Sequence, residues 1–176
     1  MRLHDTPLLG VFRIELEPLA DPRGTFLRTV CRDFLQSHGL VADFPQCNLV
    51  RNGPRGVLRG LHFQRDPHAE TKLVQCLEGG VLDVVADLRR ESRTYGTCAT
   101  FELRGDRPEV LYVPQGCAHG YQTLSDAALV YYHMSAAYAP QAEGRVRFDD
   151  ARLGIHWPVD APLLSAKDKD APPFVW

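Results

Sequence analysis

No two cysteines in this sequence are spaced as a CxxC pair, although five are present: Cys31, Cys47, Cys76, Cys98 and Cys117. An odd set without paired spacing argues against a disulfide framework and for small core side chains in a reducing compartment. No basic stretch followed by a long apolar run opens the chain, so no signal peptide is expected. No apolar run approaches the length that spans a bilayer. Neither charge dominates: Lys and Arg number 20, Asp and Glu 22, for a formal net charge of −2. A global field that would gather nucleic acid or an anionic membrane is not expected, while a local cationic pocket stays open. Internal repeats, low-complexity tracts and linkers are missing too. A soluble cytosolic protein is expected. Its 176 residues, 44% apolar and 24% charged, suffice for one domain spanning 1–176 with a substantial core.

Turn-forming residues are what the chain has in quantity. Fourteen Gly and thirteen Pro are spread through it and cut it into short segments, a pattern that predicts many short strands. Residues 73–78 and 81–88 are strand-like runs on either side of Gly79-Gly80, which reads as a β-hairpin because such a turn needs positive φ at little cost. Further strands are expected at 45–50, 57–64, 98–103, 109–113, 119–124 and 127–134. A short helix is expected at 32–38, with Asp33 as its cap and Gly39 beyond its end. From Pro158 onward the chain is Pro- and Asp-rich and is expected to cover the body as irregular structure. Strands at this spacing point to an all-β fold, a jelly-roll barrel of two antiparallel sheets with a few short helices. Barrels of this size enclose ligand pockets.

Chemistry-bearing residues sit on those strands. Segment 54–64 carries Arg59 and His62, segment 111–121 carries Pro114-x-Gly116-x-x-His119-Gly120, Lys72 opens the apolar run, and Tyr132 lies mid-strand. Ser165-x-Lys167-Asp168 follows near the end. Pro114-x-Gly116-x-x-His119 is similar to the second motif of cupin jelly rolls. The first cupin motif would put its metal-binding positions at Asp66, His68 and Lys72, and an ammonium where a carboxylate usually ligates repels a divalent cation. The pattern therefore speaks for a site that stabilises an anion, with neither metal nor other cofactor.

More narrowly, the chain resembles the dTDP-4-dehydrorhamnose 3,5-epimerase family from about residue 8 to residue 170. The likeness runs through Asp21-x-Arg23-Gly24-x-Phe26, Gln46-x-Asn48, Leu58-Arg59-Gly60-Leu61-His62-x-Gln64 and Lys72-Leu73-Val74. It continues through Asp83-Val84, Asp87-Leu88-Arg89, Pro114-x-Gly116-x-Ala118-His119-Gly120, Tyr138-x-Pro140-x-x-Glu143 and Ser165-x-Lys167-Asp168. The resemblance implies an isomerase acting on a nucleoside-diphosphate 4-keto-deoxysugar, dTDP-linked in the family's namesake. His62 would be the base, oriented by Asp168, and Tyr132 the acid on the opposite face of the sugar. Lys72 and His119 would stabilise the enolate oxygen or hold the ring. Arg23, Phe26, Arg28, Gln46, Asn48, Arg59, Glu143 and Lys167 would line the substrate. It also implies a homodimer that exchanges N-terminal strands.

The residue chemistry suits those roles. Imidazole titrates nearest neutrality and so suits proton abstraction beside a ketone, and a carboxylate on its other nitrogen fixes the tautomer. Taken singly, the same residues have plainer uses. Tyr132 on an apolar strand reads as core, Lys72 as a solvated edge residue, and Asp168 as part of a charged tail. Three rivals follow: a single-site 3- or 5-epimerase, a non-catalytic sugar-nucleotide binder, and a metal-dependent cupin oxygenase. Strict alternation puts Arg59 and His62 on opposite faces of one strand. Either a bulge near Gly60 reconciles them or Arg59 serves a neighbouring subunit, and the bulge is the reading preferred here. The chain departs from the family at Arg28, where Glu is more usual, at Val50-Arg51-Asn52, and at His133, where Lys is common. A charge reversal at Arg28 would change which substrate edge is accepted.

Overall fold

The computed structural model describes residues 1–175. Strands β1 (Arg2–Asp5) and β2 (Phe12–Glu15) lead into the small hairpin β3 (Leu19–Asp21) and β4 (Gly24–Phe26), then helix α1 (Arg32–Ser37). The body follows as β5 (Gln46–Asn52), β6 (Leu58–Gln64), β7 (Lys72–Glu78), β8 (Gly80–Asp87), β9 (Cys98–Arg104), β10 (Glu109–Val113), β11 (Cys117–Thr123) and β12 (Ala128–Met134). Strand β13 (Glu143–Arg145) and helix α2 (Ala166–Lys169) complete it. The strands form a six-stranded sheet ordered β1-β2-β10-β7-β12-β5 and a five-stranded sheet ordered β13-β6-β11-β8-β9, every ladder antiparallel. This is the expected jelly roll.

Alternation along the strands sorts the apolar residues into three layers. Val74 and Cys76 of β7, Val81 and Val85 of β8, and Leu111 and Val113 of β10 meet between the sheets. Val84 and Ala86 of β8 point the other way, with Leu61 and Ala118, and are covered by Val146, Leu153 and Phe174 of the C-terminal segment. Leu73 of β7 and Val110 and Tyr112 of β10 face outward from the larger sheet beside Ile14 of β2, and Leu35 of α1 and Leu16 pack with them. Both faces of β8, and of β7 as far as Cys76, are thus largely buried, which is why apolar residues fall at both odd and even positions along them.

The Gly79-Gly80 hairpin does not form. β7 pairs with β10 and β12, β8 with β9 and β11, and the two glycines are the corner where the chain crosses from one sheet to the other. Gly79 takes φ +72° and Gly80 is not among the positive-φ glycines, so the turn lacks the two positive values of a type I′ hairpin. A Cβ on Gly79 would lie 2.0 Å from the Ala127 carbonyl oxygen, so the corner is packed too tightly for a side chain. Asp33 is not the cap of α1 either: Cys31 holds that position without a side-chain bond, and Asp33 lies in the first turn, where its charge favours the helix dipole. The other expected strands form within a few residues of their predicted bounds. β1 to β4, β13 and α2 were not anticipated. Among the described residues no helix is long and apolar enough to cross a membrane.

Candidate active site

One mouth of the sandwich opens into a cavity of about 710 Å³, walled by β5 and β12 from the larger sheet and β6 from the smaller. Alternation delivers Gln46, Asn48 and Val50 of β5 to it, and likewise Tyr132 and Met134 of β12. Strand β6 delivers both Arg59 and His62, and it does so by the bulge. His119 of β11 stands opposite His62, but Tyr121 stands opposite Arg59, so β6 carries one extra residue in that interval. Gly60 makes this possible. It adopts φ +134°, and a Cβ on it would lie 2.5 Å from the Gly120 Cα. The two glycines let the strands close where side chains would hold them apart.

His62 Nε2 lies 2.6 Å from Asp168 Oδ1. A carboxylate can only accept, so Nε2 is the donor in this bond. Asp168 is delivered by α2, which the Ser165-x-x-Asp168 pattern starts: Ser165 Oγ accepts from the Asp168 backbone N–H at 3.2 Å and donates to Oδ2 at 2.9 Å. The same capping interaction that begins the helix therefore also aims the carboxylate. Arg145 Nη1 donates to Asp168 Oδ1 and lies 2.7 Å from His62 Nε2, while Nη2 donates to Glu143 Oε1 at 2.6 Å. Burial pushes the Asp168 carboxyl up, but the hydrogen bonds from His62 and Ser165 and the charges of His62 and Arg145 outweigh it and bring it below the usual range.

Lys72 is buried on the cavity wall, its Nζ donating to the His62 carbonyl at 3.2 Å and standing 3.0 Å from Glu70 Oε1. His119 Nε2 lies 2.8 Å from Asp83 Oδ2, whose carboxyl is raised by burial against the opposing charges of His119 and Lys72. Arg59 Nε donates to Asn52 Oδ1 at 2.9 Å, and Tyr121 Oη donates to the same oxygen at 3.2 Å. Burial raises the Tyr132 phenol; Arg59 opposes the shift and Glu70 adds to it. The phenol is therefore protonated at neutral pH. An imidazole paired with a carboxylate and a protonated phenol thus line one cavity from opposite sheets, beside a buried ammonium.

Among the residues singled out from sequence, the cavity gathers Gln46, Asn48, Arg59, His62, Lys72, His119, Tyr132, Glu143 and Asp168. Arg23, Phe26, Arg28 and Lys167 are not on its wall. The first two lie on the exposed β3–β4 hairpin, where Arg23 pairs with Asp21 at 2.6 Å, and Arg28 follows just after it, also exposed. Lys167 is the helical neighbour of Asp168, and adjacent helical residues do not share a face. Arg145 and Glu70 were missed. Arg145 was legible, since Glu143-x-Arg145 places two side chains on one face of a strand, whereas Glu70 lies in the turn before β7 and carries no periodic signal.

The fold is a cupin-type jelly roll whose cavity brings together an imidazole–carboxylate pair, a phenol and an ammonium. The comparisons with known proteins agree. Residues 5–175 match the family described as dTDP-4-dehydrorhamnose 3,5-epimerase. The chain is 38% identical over 176 residues to the dTDP-4-dehydrorhamnose 3,5-epimerase of Methanothermobacter thermautotrophicus, covering 98% of this chain and 94% of that one. It is 40% identical over 172 residues to the dTDP-4-dehydrorhamnose 3-epimerase of Streptomyces niveus, covering 97% and 83%. The crystal structure of a dTDP-4-dehydrorhamnose 3,5-epimerase from Bacillus anthracis with TDP and PPi bound superposes with a TM-score of 0.95 at 34% identity, covering 98% and 99%. The chain belongs to the dTDP-4-dehydrorhamnose 3,5-epimerase family and is an epimerase, a member of the isomerases.

Proposed function

We propose that the substrate is a dTDP-linked 4-keto-6-deoxyhexose and that the enzyme inverts C3 and C5 beside the ketone, as in the conversion of dTDP-4-dehydro-6-deoxyglucose to dTDP-4-dehydrorhamnose. The observation that carries this reading is that the His62–Asp168 pair and Tyr132 line one cavity from opposite sheets. His62 Nδ1 takes the proton from the carbon beside the ketone, and the electron pair moves onto the ketone oxygen. Asp168 holds the imidazolium so formed, and Arg145 and Ser165 hold Asp168 in one orientation. Lys72, with His119 beside it, stabilises the enolate oxygen, a contribution of roughly 3–4 kcal/mol by comparison with oxyanion-hole deletions. Tyr132 then gives its proton to the other face of the carbon, and the configuration is inverted.

The TDP bound to the Bacillus anthracis relative supports dTDP as the nucleotide. Arg59, Gln46 and Asn48 lie along the wall that would receive it. The β3–β4 hairpin leaves Leu19 and Phe26 more than half exposed, at 67% and 63%. That exposure supports a homodimer in which each protomer's hairpin, with Arg23, Phe26 and Arg28, completes its partner's cavity. Five unpaired thiols support a reducing, cytoplasmic setting.

A single-site reading has its own support, because the Streptomyces niveus relative at 40% identity is a 3-epimerase. Incubation with dTDP-4-keto-6-deoxyglucose in deuterated water separates the two by NMR. Deuterium at C3 and C5 with both centres inverted is expected, label at C3 alone selects the single-site reading, and no exchange at either carbon refutes both.

A further inference from the structure

Glu70 is 6% exposed and lies on the cavity wall two residues before Lys72. Its Oε1 is 3.0 Å from Lys72 Nζ, whereas its Oε2 is buried and finds no hydrogen-bond donor among the described residues. A buried carboxylate oxygen without a donor is costly, and native proteins rarely leave one so. Asp83 Oδ1 is also without a donor, but Asp83 is not on the cavity wall. Glu70 Oε2 is thus a buried acceptor left without a donor, on a residue of the cavity wall. Next to it the Lys72 ammonium offers a donor. The pair is complementary to a group that carries an acceptor and a hydroxyl donor on neighbouring carbons, which is an α-hydroxy ketone.

We propose that Glu70 is a specificity-determining residue: Oε2 accepts a hydrogen bond from the 3-hydroxyl of the sugar while Lys72 Nζ donates to the adjacent ketone oxygen. The assignment rests on the proposed function, which puts the ketone at Lys72. A sugar lacking that hydroxyl would leave Oε2 desolvated and unpaired, and sites built around a hydroxyl discriminate on that ground. Glu70 thereby selects for the hydroxyl at the position where the configuration is set.

The test compares dTDP-4-keto-6-deoxyglucose with its 3-deoxy analogue, following deuterium entry beside the ketone in the wild-type enzyme and in Glu70→Leu. The wild type is expected to favour the hydroxylated sugar by roughly 10- to 100-fold in kcat/KM. In Glu70→Leu the preference is expected to fall to within about 3-fold, mainly through loss of rate on the hydroxylated sugar. Affinity for dTDP alone, within about 2-fold of wild type, establishes that the variant's cavity is formed. If Glu70 only holds Lys72 in place, both sugars slow together and the preference survives, which overturns the proposal. A wild-type enzyme that treats the two sugars alike overturns it as well. If the wild type exchanges neither sugar, the epimerase reading itself fails and the role of Glu70 falls with it.

Discussion

Asp168 accepts from His62 at 2.6 Å across a sequence separation of 106 residues, and Arg145 shares the same carboxylate oxygen. This cluster is thus assembled from three distant parts of the chain: a bulged strand, an edge strand and a capped turn of helix. Asp168→Asn keeps the size of the side chain but removes the charge that balances both the imidazolium and the guanidinium. The loss in kcat/KM is expected to be roughly 10²- to 10⁴-fold, with dTDP affinity unchanged. Steady-state kinetics beside calorimetric titration of dTDP checks this, and activity within about 3-fold of wild type would contradict the pairing.

Gly60 and Gly120 face each other where β6 bulges, and a Cβ on Gly60 would lie 2.5 Å from the Gly120 Cα. Gly60→Ala meets both this clash and an unfavourable φ of +134°. A loss of about 2–3 kcal/mol is expected, read as a lower urea midpoint with unchanged slope. Because the bulge brings Arg59 and His62 to one wall, activity is expected to fall further than the folded fraction does. A variant of native stability would show that the two strands are not held at this distance.

Asp87 gives the fold a dependence on acid. Burial raises its carboxyl, but Arg89 donates to it from Nε and Nη2 at 2.8 Å, Ser92 and Thr94 from their hydroxyls, and the net value is lowered to about 2. A carboxyl depressed in the fold binds protons less readily folded than unfolded. Its contribution, about 2 kcal/mol, is therefore fully present above about pH 4 and lost as the pH falls towards 2. Asp168, also lowered, acts in the same direction. Urea midpoints measured between pH 3 and pH 7 are expected to fall on the acid side, and to fall less steeply in Asp87→Asn. An unchanged slope in that variant would remove Asp87 from the explanation.

Most of the strands that build the cavity were legible because both alternation and turn chemistry marked them. The bulge was legible as well, from a conflict: Arg59 and His62 could share a wall only if the register slipped at Gly60, and it does. What failed did so for physical reasons. Gly79-Gly80 marks a turn, but a local pattern does not tell a hairpin from a corner between sheets, since that depends on which distant strands compete for pairing. β1, β3 and β4 are too short and too exposed to show a buried stripe. The resemblance singled out Arg23, Phe26 and Arg28 as substrate-lining, but in this chain they sit on an exposed arm and are not on the cavity wall. Glu70 had no signal at all, because a buried oxygen without a donor is a feature of packing rather than of sequence pattern.

The most direct test is Tyr132→Phe, assayed by NMR in deuterated water for exchange and for inversion in one reaction. His62 and its carboxylate remain intact in this variant, so deuterium is expected to enter beside the ketone with configuration retained, at a measurable fraction of the wild-type rate. Inversion is expected to fall by roughly 10²- to 10⁴-fold, the ordinary worth of a positioned acid. Exchange and inversion at full wild-type rates, with phenylalanine in place of the phenol, would contradict proton delivery from the second face.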